Sequence, residues 1–132
     1  MSVERPSRIL VVDDDQQVLS LFAQILTNGG YSVTAAHRSS EVASILKEQP
    51  IDLLVLDLNM PQPDGFDILR TVRAEMPSLK ILVVSGYLQG ALLKASELLG
   101  ATASLNKTDA PKLLLKTVDA ILKSPTSMRV GK

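Results

Sequence analysis

"LLVLDLNMPQPDG", residues 53–65, begins as an unbroken apolar run, meets an aspartate at 57, and then dissolves into asparagine, two prolines and a glycine. A strand with one wet face would alternate polar and apolar residues; a run with no polar position reads as a strand covered on both faces. Strands of that kind belong to parallel sheets with helices on either side, and the turn-forming residues mark where the strand stops. Asp57 is therefore expected at the carboxyl end of a buried strand. In open α/β sheets that end is where ligands bind.

The same grammar recurs on both sides of this stretch. ILVV (9–12) is continuously apolar and ends in Asp13, Asp14 and Asp15, and KILVVS (80–85) is equally apolar and ends in Ser85. YSVTAA (31–36) and ATASLN (101–106) are weaker strands of the same order, and the third strand reads as 52–57. Between them the period changes to that of a helix. Val18, Leu21, Phe22, Ile25 and Leu26 mark the first, with Asp14 or Asp15 as its N-cap and Gly29-Gly30 as its stop. Val42, Ile45 and Leu46 mark the second; Ile68, Leu69 and Val72 the third, after Gly65. Leu88, Leu92, Ala95 and Leu99 mark the fourth, and Leu114, Val118, Ile121 and Leu122 the fifth. Five strands alternating with five helices imply an α/β fold with a parallel sheet and right-handed crossovers, the three most apolar strands in the centre.

Composition narrows the function classes. A chain of 132 residues makes one domain, and with 45% apolar but only 3% aromatic residues its core must be aliphatic. Fourteen basic residues balance fourteen acidic ones, so no global field gathers nucleic acid or anionic lipid. The absence of cysteine removes disulfides, thiolate metal sites and cysteine nucleophiles. Neither a signal-peptide core nor an apolar stretch of roughly 18 residues is found, which makes a soluble cytoplasmic protein the expectation. The expected partition is a disordered N-terminal segment at 1–7, a folded domain at 8–123 and a flexible tail or truncated linker at 124–132.

Asp13 closes the first strand, Asp57 the third and Ser85 the fourth, while Lys107 follows the fifth, so all four should meet on one rim of the sheet. Asp13, Asp14 and Asp57 crowded together repel one another unless a cation joins them. With only oxygen donors nearby, Mg²⁺ is the expected ion. A carboxylate nucleophile at Asp57, an ammonium at Lys107 and a hydroxyl at Ser85 are the parts that phosphoryl transfer requires.

Carried by "VVDDD" (11–15), "LLVLDLNMPQPDG", "LVVSG" (82–86) and "SLNKTD" (104–109), the chain resembles the receiver domains of two-component response regulators over residues 8 to 123. The resemblance implies a flavodoxin-like, doubly wound sheet of five parallel strands in the order 2-1-3-4-5 with five helices. It implies that Asp57 takes a phosphoryl group from a histidine kinase or histidine phosphotransfer protein. Asp14 and Asp57 would bind Mg²⁺ directly, Asn59 would add its backbone carbonyl, and Asp13 would act through a metal-bound water. Lys107 would pair with the phosphate, Ser85 would move to hydrogen-bond it, and Gly65 would relieve the turn into the third helix. Such a chain is a signalling domain rather than a turnover enzyme, although it catalyses its own phosphotransfer and dephosphorylation. It would signal through a downstream protein, without binding nucleic acid or membrane directly, as a monomer or weak homodimer.

Each residue also has a plainer reading. The aspartate triplet can be a helix cap, Asp57 a turn residue, Ser85 a strand-end hydroxyl and Lys107 a solvated charge; only their joint spacing selects the chemistry. His37 is read as structural, and Met60 and Pro61 as shaping the loop. Thr108 stands where receivers usually have proline, and Ser104 where many carry an aromatic residue that turns inward on activation. Tyr87 is a candidate substitute for that aromatic. Two other classes fit the same residues: a phosphohydrolase with an aspartyl-phosphate intermediate, for which Asp13 and Asp15 have haloacid-dehalogenase-like spacing, and a receiver-like scaffold that is never phosphorylated.

Overall fold

The five apolar segments form strands β1 (Arg8–Val12), β2 (Ser32–Ala36), β3 (Leu53–Asp57), β4 (Lys80–Ser85) and β5 (Ala103–Asn106). The helices are α1 (Gln16–Asn28), α2 (Val42–Glu48), α3 (Gly65–Glu75), α4 (Gly90–Leu98) and α5 (Ala110–Lys123), with one 3-10 turn at Ser39–Glu41. This computed structural model describes residues 6–58, 65–86 and 90–123, with backbone alone for 90–93. All strand pairs are parallel and the order is β2-β1-β3-β4-β5, so the three most apolar strands are central, as their composition predicts. Among the described residues no helix is long and apolar enough to cross a membrane.

The unbroken apolar runs have a direct cause. Successive side chains of a strand point to opposite faces, and here both faces are buried. Leu10, Val12, Leu54, Leu56, Ile81 and Val83 pack with Val42, Ile68, Leu69 and Val72 of α2 and α3. The intervening residues Ile9, Val11, Leu53, Val55, Leu82 and Val84 pack with Leu19, Phe22, Leu26, Leu114 and Val118 of α1 and α5.

Several local expectations shift by a residue or a face. In α1 the inward stripe is Leu19, Phe22 and Leu26, whereas Leu21 is 42% exposed. Val18 and Ile25 flank that stripe, so the phase of the helix is turned by a fraction of a turn from the one its apolar residues suggest. Asp15, not Asp14, is the N-cap: its Oδ1 accepts the Gln17 and Val18 N–H groups at 2.9 and 3.3 Å. Gly29 is the C-cap and Gly30 takes the left-handed φ of +100° that ends the helix. Asp52 precedes β3 instead of opening it, and it is tied to Arg8 twice, its carboxylate accepting the Arg8 N–H at 2.7 Å and its own N–H donating to the Arg8 carbonyl at 2.8 Å. Leu99 lies beyond α4 and is exposed; among the described side chains of α4 the buried one is Ser96. Ile121 and Leu122 are half-buried, and Leu88 and the side chain of Leu92 lie outside the described residues.

Two polar ties fix helices to the frame. The Arg73 guanidinium, on α3, donates to the carbonyls of Gly100, Met76 and Pro77, joining the end of α3 to the α4–β5 turn. The Tyr31 hydroxyl donates to Asp119 of α5, and its pKa is raised by burial and by that carboxylate.

Candidate functional site

Sheet order alone brings the candidate residues together. Because β1 and β3 are neighbours, Asp13, just past β1, stands beside Asp57, the last residue of β3. Asp13 is held at the rim by its N–H donating to the Ala36 carbonyl at 3.1 Å. Ser85 ends β4, and its carbonyl accepts the Lys107 N–H at 2.8 Å, which anchors the segment after β5.

The result, among the described residues, is a buried acid pair under one ammonium. Asp13 and Asp57 are 1% and 2% exposed, Ser85 is fully buried, and Asp14 is exposed. One carboxylate oxygen from each of Asp13, Asp14 and Asp57 lies within 4.8 Å of the others. Lys107 Nζ reaches Asp13 Oδ2 at 3.0 Å and Asp57 Oδ2 at 3.3 Å. Asp13 Oδ1 accepts the Asp15 N–H at 2.9 Å, while its buried Oδ2 faces the ammonium without accepting a hydrogen bond of good geometry.

Electrostatics follow from that arrangement. Burial, with the negative charge of Asp57 added, holds the Asp13 carboxyl above the usual carboxylate range, and the Asp15 N–H and the Lys107 ammonium offset this only in part. Burial alone would lower Lys107, but its two carboxylate partners raise it on balance. Among the described residues, one ammonium faces three carboxylates, so these are short of positive charge. An oxygen-only donor set of three convergent carboxylates, two of them buried, fits a hard divalent cation, of which Mg²⁺ is the representative.

Gly65 has a role different from the one its sequence context suggests. Its φ is not among the positive values, so no unusual turn demands glycine there. A Cβ at this position would lie 2.4 Å from Leu58 Cα and 2.6 Å from the Asp57 carbonyl oxygen. The first turn of α3 thus rests directly on the Asp57–Leu58 backbone, and only a residue without a side chain permits that approach.

Asn59, Met60, Pro61 and Tyr87 lie outside the described residues. Ser104 donates its hydroxyl to Glu97 Oε2 at 3.0 Å, tying β5 to α4. Thr108 is marked by the sequence only as a replacement for proline and Asn106 not at all, yet Asn106 Oδ1 accepts both the N–H and the hydroxyl of Thr108. An asparagine two residues before a threonine between strand and helix is the signal that would have found them.

Residues 9–119 match the family model described as response regulator receiver domain. Among similar solved structures are a CheY-like response regulator receiver domain protein from Methanospirillum hungatei and the chemotaxis protein CheY4 from Vibrio cholerae. The first has a TM-score of 0.84 at 28% identity, covering 93% of this chain and 98% of that one. The second has a TM-score of 0.81 at 27% identity, covering 89% and 99%. Among curated proteins, the response regulator MprA of Mycobacterium avium is 36% identical over 88% of this chain and 51% of its own length. The alginate biosynthesis transcriptional regulatory protein AlgB of Pseudomonas aeruginosa is 33% identical over 64% of this chain and 19% of its own. The chain thus spans between about a fifth and a half of the length of the curated relatives it matches.

Proposed function

Since the chain belongs to the response regulator receiver domains, we propose that it is a phosphoacceptor module in which Asp57 takes a phosphoryl group from a histidine kinase or histidine phosphotransfer protein. The observation that carries this reading is the placement of Asp57: buried at the end of a central strand, 3.3 Å from Lys107 Nζ, with the oxygens of Asp13 and Asp14 within 4.8 Å of its own.

In the transfer, an oxygen of the Asp57 carboxylate attacks phosphorus, the bond from phosphorus to the donor's leaving atom breaks, and the leaving group departs with the electron pair. Lys107, 3.3 Å from Asp57, would neutralise charge on the phosphoryl oxygens, and Ser85, fully buried at the end of the next strand, would supply a hydroxyl to them. Asp13, Asp14, Asp57 and the Asn59 carbonyl would hold Mg²⁺, which would supply positive charge to offset the negative charge that builds up during transfer. The phosphohydrolase reading is not favoured, because Asp15, which would serve as its acid/base, is engaged as the cap of α1. The partners, downstream signalling through protein contacts and the partition at residues 8–123 belong to the same proposal.

Intact mass after incubation with Mg²⁺ and a small-molecule phosphodonor tests it: one added phosphoryl group supports the reading. No adduct, with Mg²⁺ shown to bind, points to the unphosphorylated scaffold, and steady consumption of donor without adduct to the hydrolase.

Two further outcomes are expected. Asp13 has a raised pKa in the folded chain, so its ionised form costs stability above its ordinary value near 3.8 and that stability returns as pH falls through the raised value. Asp13→Asn, which removes the charge, is therefore expected to raise the melting temperature of the metal-free protein at neutral pH. The unaltered chain should gain about 2.7 kcal/mol from Mg²⁺ at a hundred times its dissociation constant. The variant should need several times more Mg²⁺ for the same gain; calorimetric melts with and without Mg²⁺ read both effects.

The second concerns output. A small hydroxyl at Ser104 replaces an aromatic readout with a hydrogen bond to Glu97. Ser104→Ala is expected to speed amide exchange in the last turn of α4 by about fivefold, the effect of one hydrogen bond near 1 kcal/mol. Equal exchange in both proteins would show that the bond does not hold the helix.

A further inference from the structure

We propose that Asn106 and Thr108 are positioning residues for phosphoryl transfer: together they clamp the main chain on either side of Lys107 so that its ammonium spans Asp13 and Asp57. This rests on the phosphoacceptor reading of Asp57 and adds to it a part of the machinery that lies outside the acid cluster.

Lys107 has a task that its own side chain cannot secure. Its Nζ must meet two carboxylates at once, at 3.0 and 3.3 Å, from the end of a flexible four-carbon stem. How far the stem reaches is set by where its Cα is held. On one side that backbone is pinned by the strand frame, with the Lys107 N–H donating to Ser85 at 2.8 Å and its carbonyl accepting the Ala110 N–H at 3.2 Å. Between those anchors the chain leaves β5 and turns into α5 within three residues.

The turn is closed by one side-chain oxygen. Asn106 Oδ1 accepts the Thr108 N–H at 3.0 Å and the Thr108 hydroxyl at 2.7 Å. An asparagine turn alone uses only the N–H; the hydroxyl adds a second bond that requires Ser or Thr at position 108. In addition the Asn106 carbonyl accepts the Asp109 N–H at 3.0 Å. Asn106 is therefore bonded forward through both its side chain and its main chain, and Lys107 is the residue enclosed. No hydrogen bond or ion pair found for Asn106 or Thr108 involves Asp13, Asp14 or Asp57, so their influence on the reaction passes through Lys107.

That route gives a signature separable from simple loss of structure. Thr108→Val keeps the shape and removes the hydroxyl; Thr108→Ser keeps the hydroxyl. With Mg²⁺ saturating, Thr108→Val is expected to slow phosphoryl uptake from a small-molecule donor about fivefold, the weight of one hydrogen bond expressed in a barrier. Its Mg²⁺ dissociation constant should stay within about twofold of the unaltered chain, and Thr108→Ser should restore the rate. In a Lys107→Ala background the valine change should slow nothing further, because the group it positions is gone. An unchanged rate in Thr108→Val, failure of serine to restore it, a parallel loss of Mg²⁺ affinity, or a further slowing without Lys107 would each overturn the proposal.

If the unaltered chain takes up no phosphoryl group, the phosphoacceptor reading fails, and a crystal structure of Thr108→Val still decides the positioning claim. Separation of Lys107 Nζ from Asp57 beyond the ion-pair range of about 4 Å supports it, and an unmoved ammonium overturns it.

Discussion

Asp57→Asn should take up no phosphoryl group under conditions in which the unaltered chain gains one. The substitution preserves the shape of the side chain at a position 2% exposed, so the strand and its packing have little reason to change. What it removes is the anion. An amide oxygen is a far weaker nucleophile than a carboxylate, and the amide nitrogen offers Lys107 no acceptor at a place where the ammonium now sits 3.3 Å from a carboxylate oxygen. The expected loss of rate is at least roughly a thousandfold, about 4 kcal/mol of barrier. The neighbouring aspartates do not substitute for it: Asp13 already accepts the Asp15 N–H and pairs with Lys107, and Asp14 is exposed to water. Intact mass and peptide mapping of the two proteins side by side provide the check. An adduct of equal yield in Asp57→Asn would place the acceptor elsewhere and dismiss the assignment.

Gly65→Ala should be among the most damaging single-methyl changes in the chain. The new Cβ would lie 2.4 Å from Leu58 Cα and 2.6 Å from the Asp57 carbonyl oxygen, both main-chain atoms that no rotamer change can move aside. Relief requires α3 to withdraw from β3, which opens the packing of Ile68, Leu69 and Val72 against the sheet. Overpacking of this kind costs about 3 kcal/mol, and the better helix propensity of alanine offsets no more than about 1 kcal/mol of it. A fall in melting temperature of roughly 10 °C is expected. Gly29→Ala is the internal control: its Cβ would also come within 2.4 Å of an atom, but that atom is the end of the Leu115 side chain, which can turn away. Since the displaced segment carries Asp57, Gly65→Ala should also slow phosphoryl uptake at temperatures where it remains folded. Matching melting curves for Gly65→Ala and the unaltered chain would show that α3 does not rest on that backbone as described.

The architecture and the residues gathered at its rim were legible from local pattern. Runs such as ILVV and LLVL have no polar position because both faces of their strands are covered, and that is a local property visible without coordinates. The acids and the hydroxyl that end β1, β3 and β4 could be placed on one edge for the same reason, since every strand of a parallel sheet points the same way. Tertiary structure alone decided the rest. Leu19 rather than Leu21 faces the core because adjacent positions on a helix differ by about 100° and only packing against the sheet selects the phase. Asp15 rather than Asp14 caps α1, which leaves Asp14 beside Asp13 and Asp57. The need for glycine at 65 arises from a neighbouring segment's backbone and not from its own φ, so no local pattern records it. Lys107 is 50 residues from Asp57 in the chain, and the 3.3 Å between their charges is set by the order of strands and the turn that Asn106 and Thr108 close. Periodicity is a property of neighbours along the chain, whereas a charge-to-charge distance belongs to elements that meet only when the sheet is assembled.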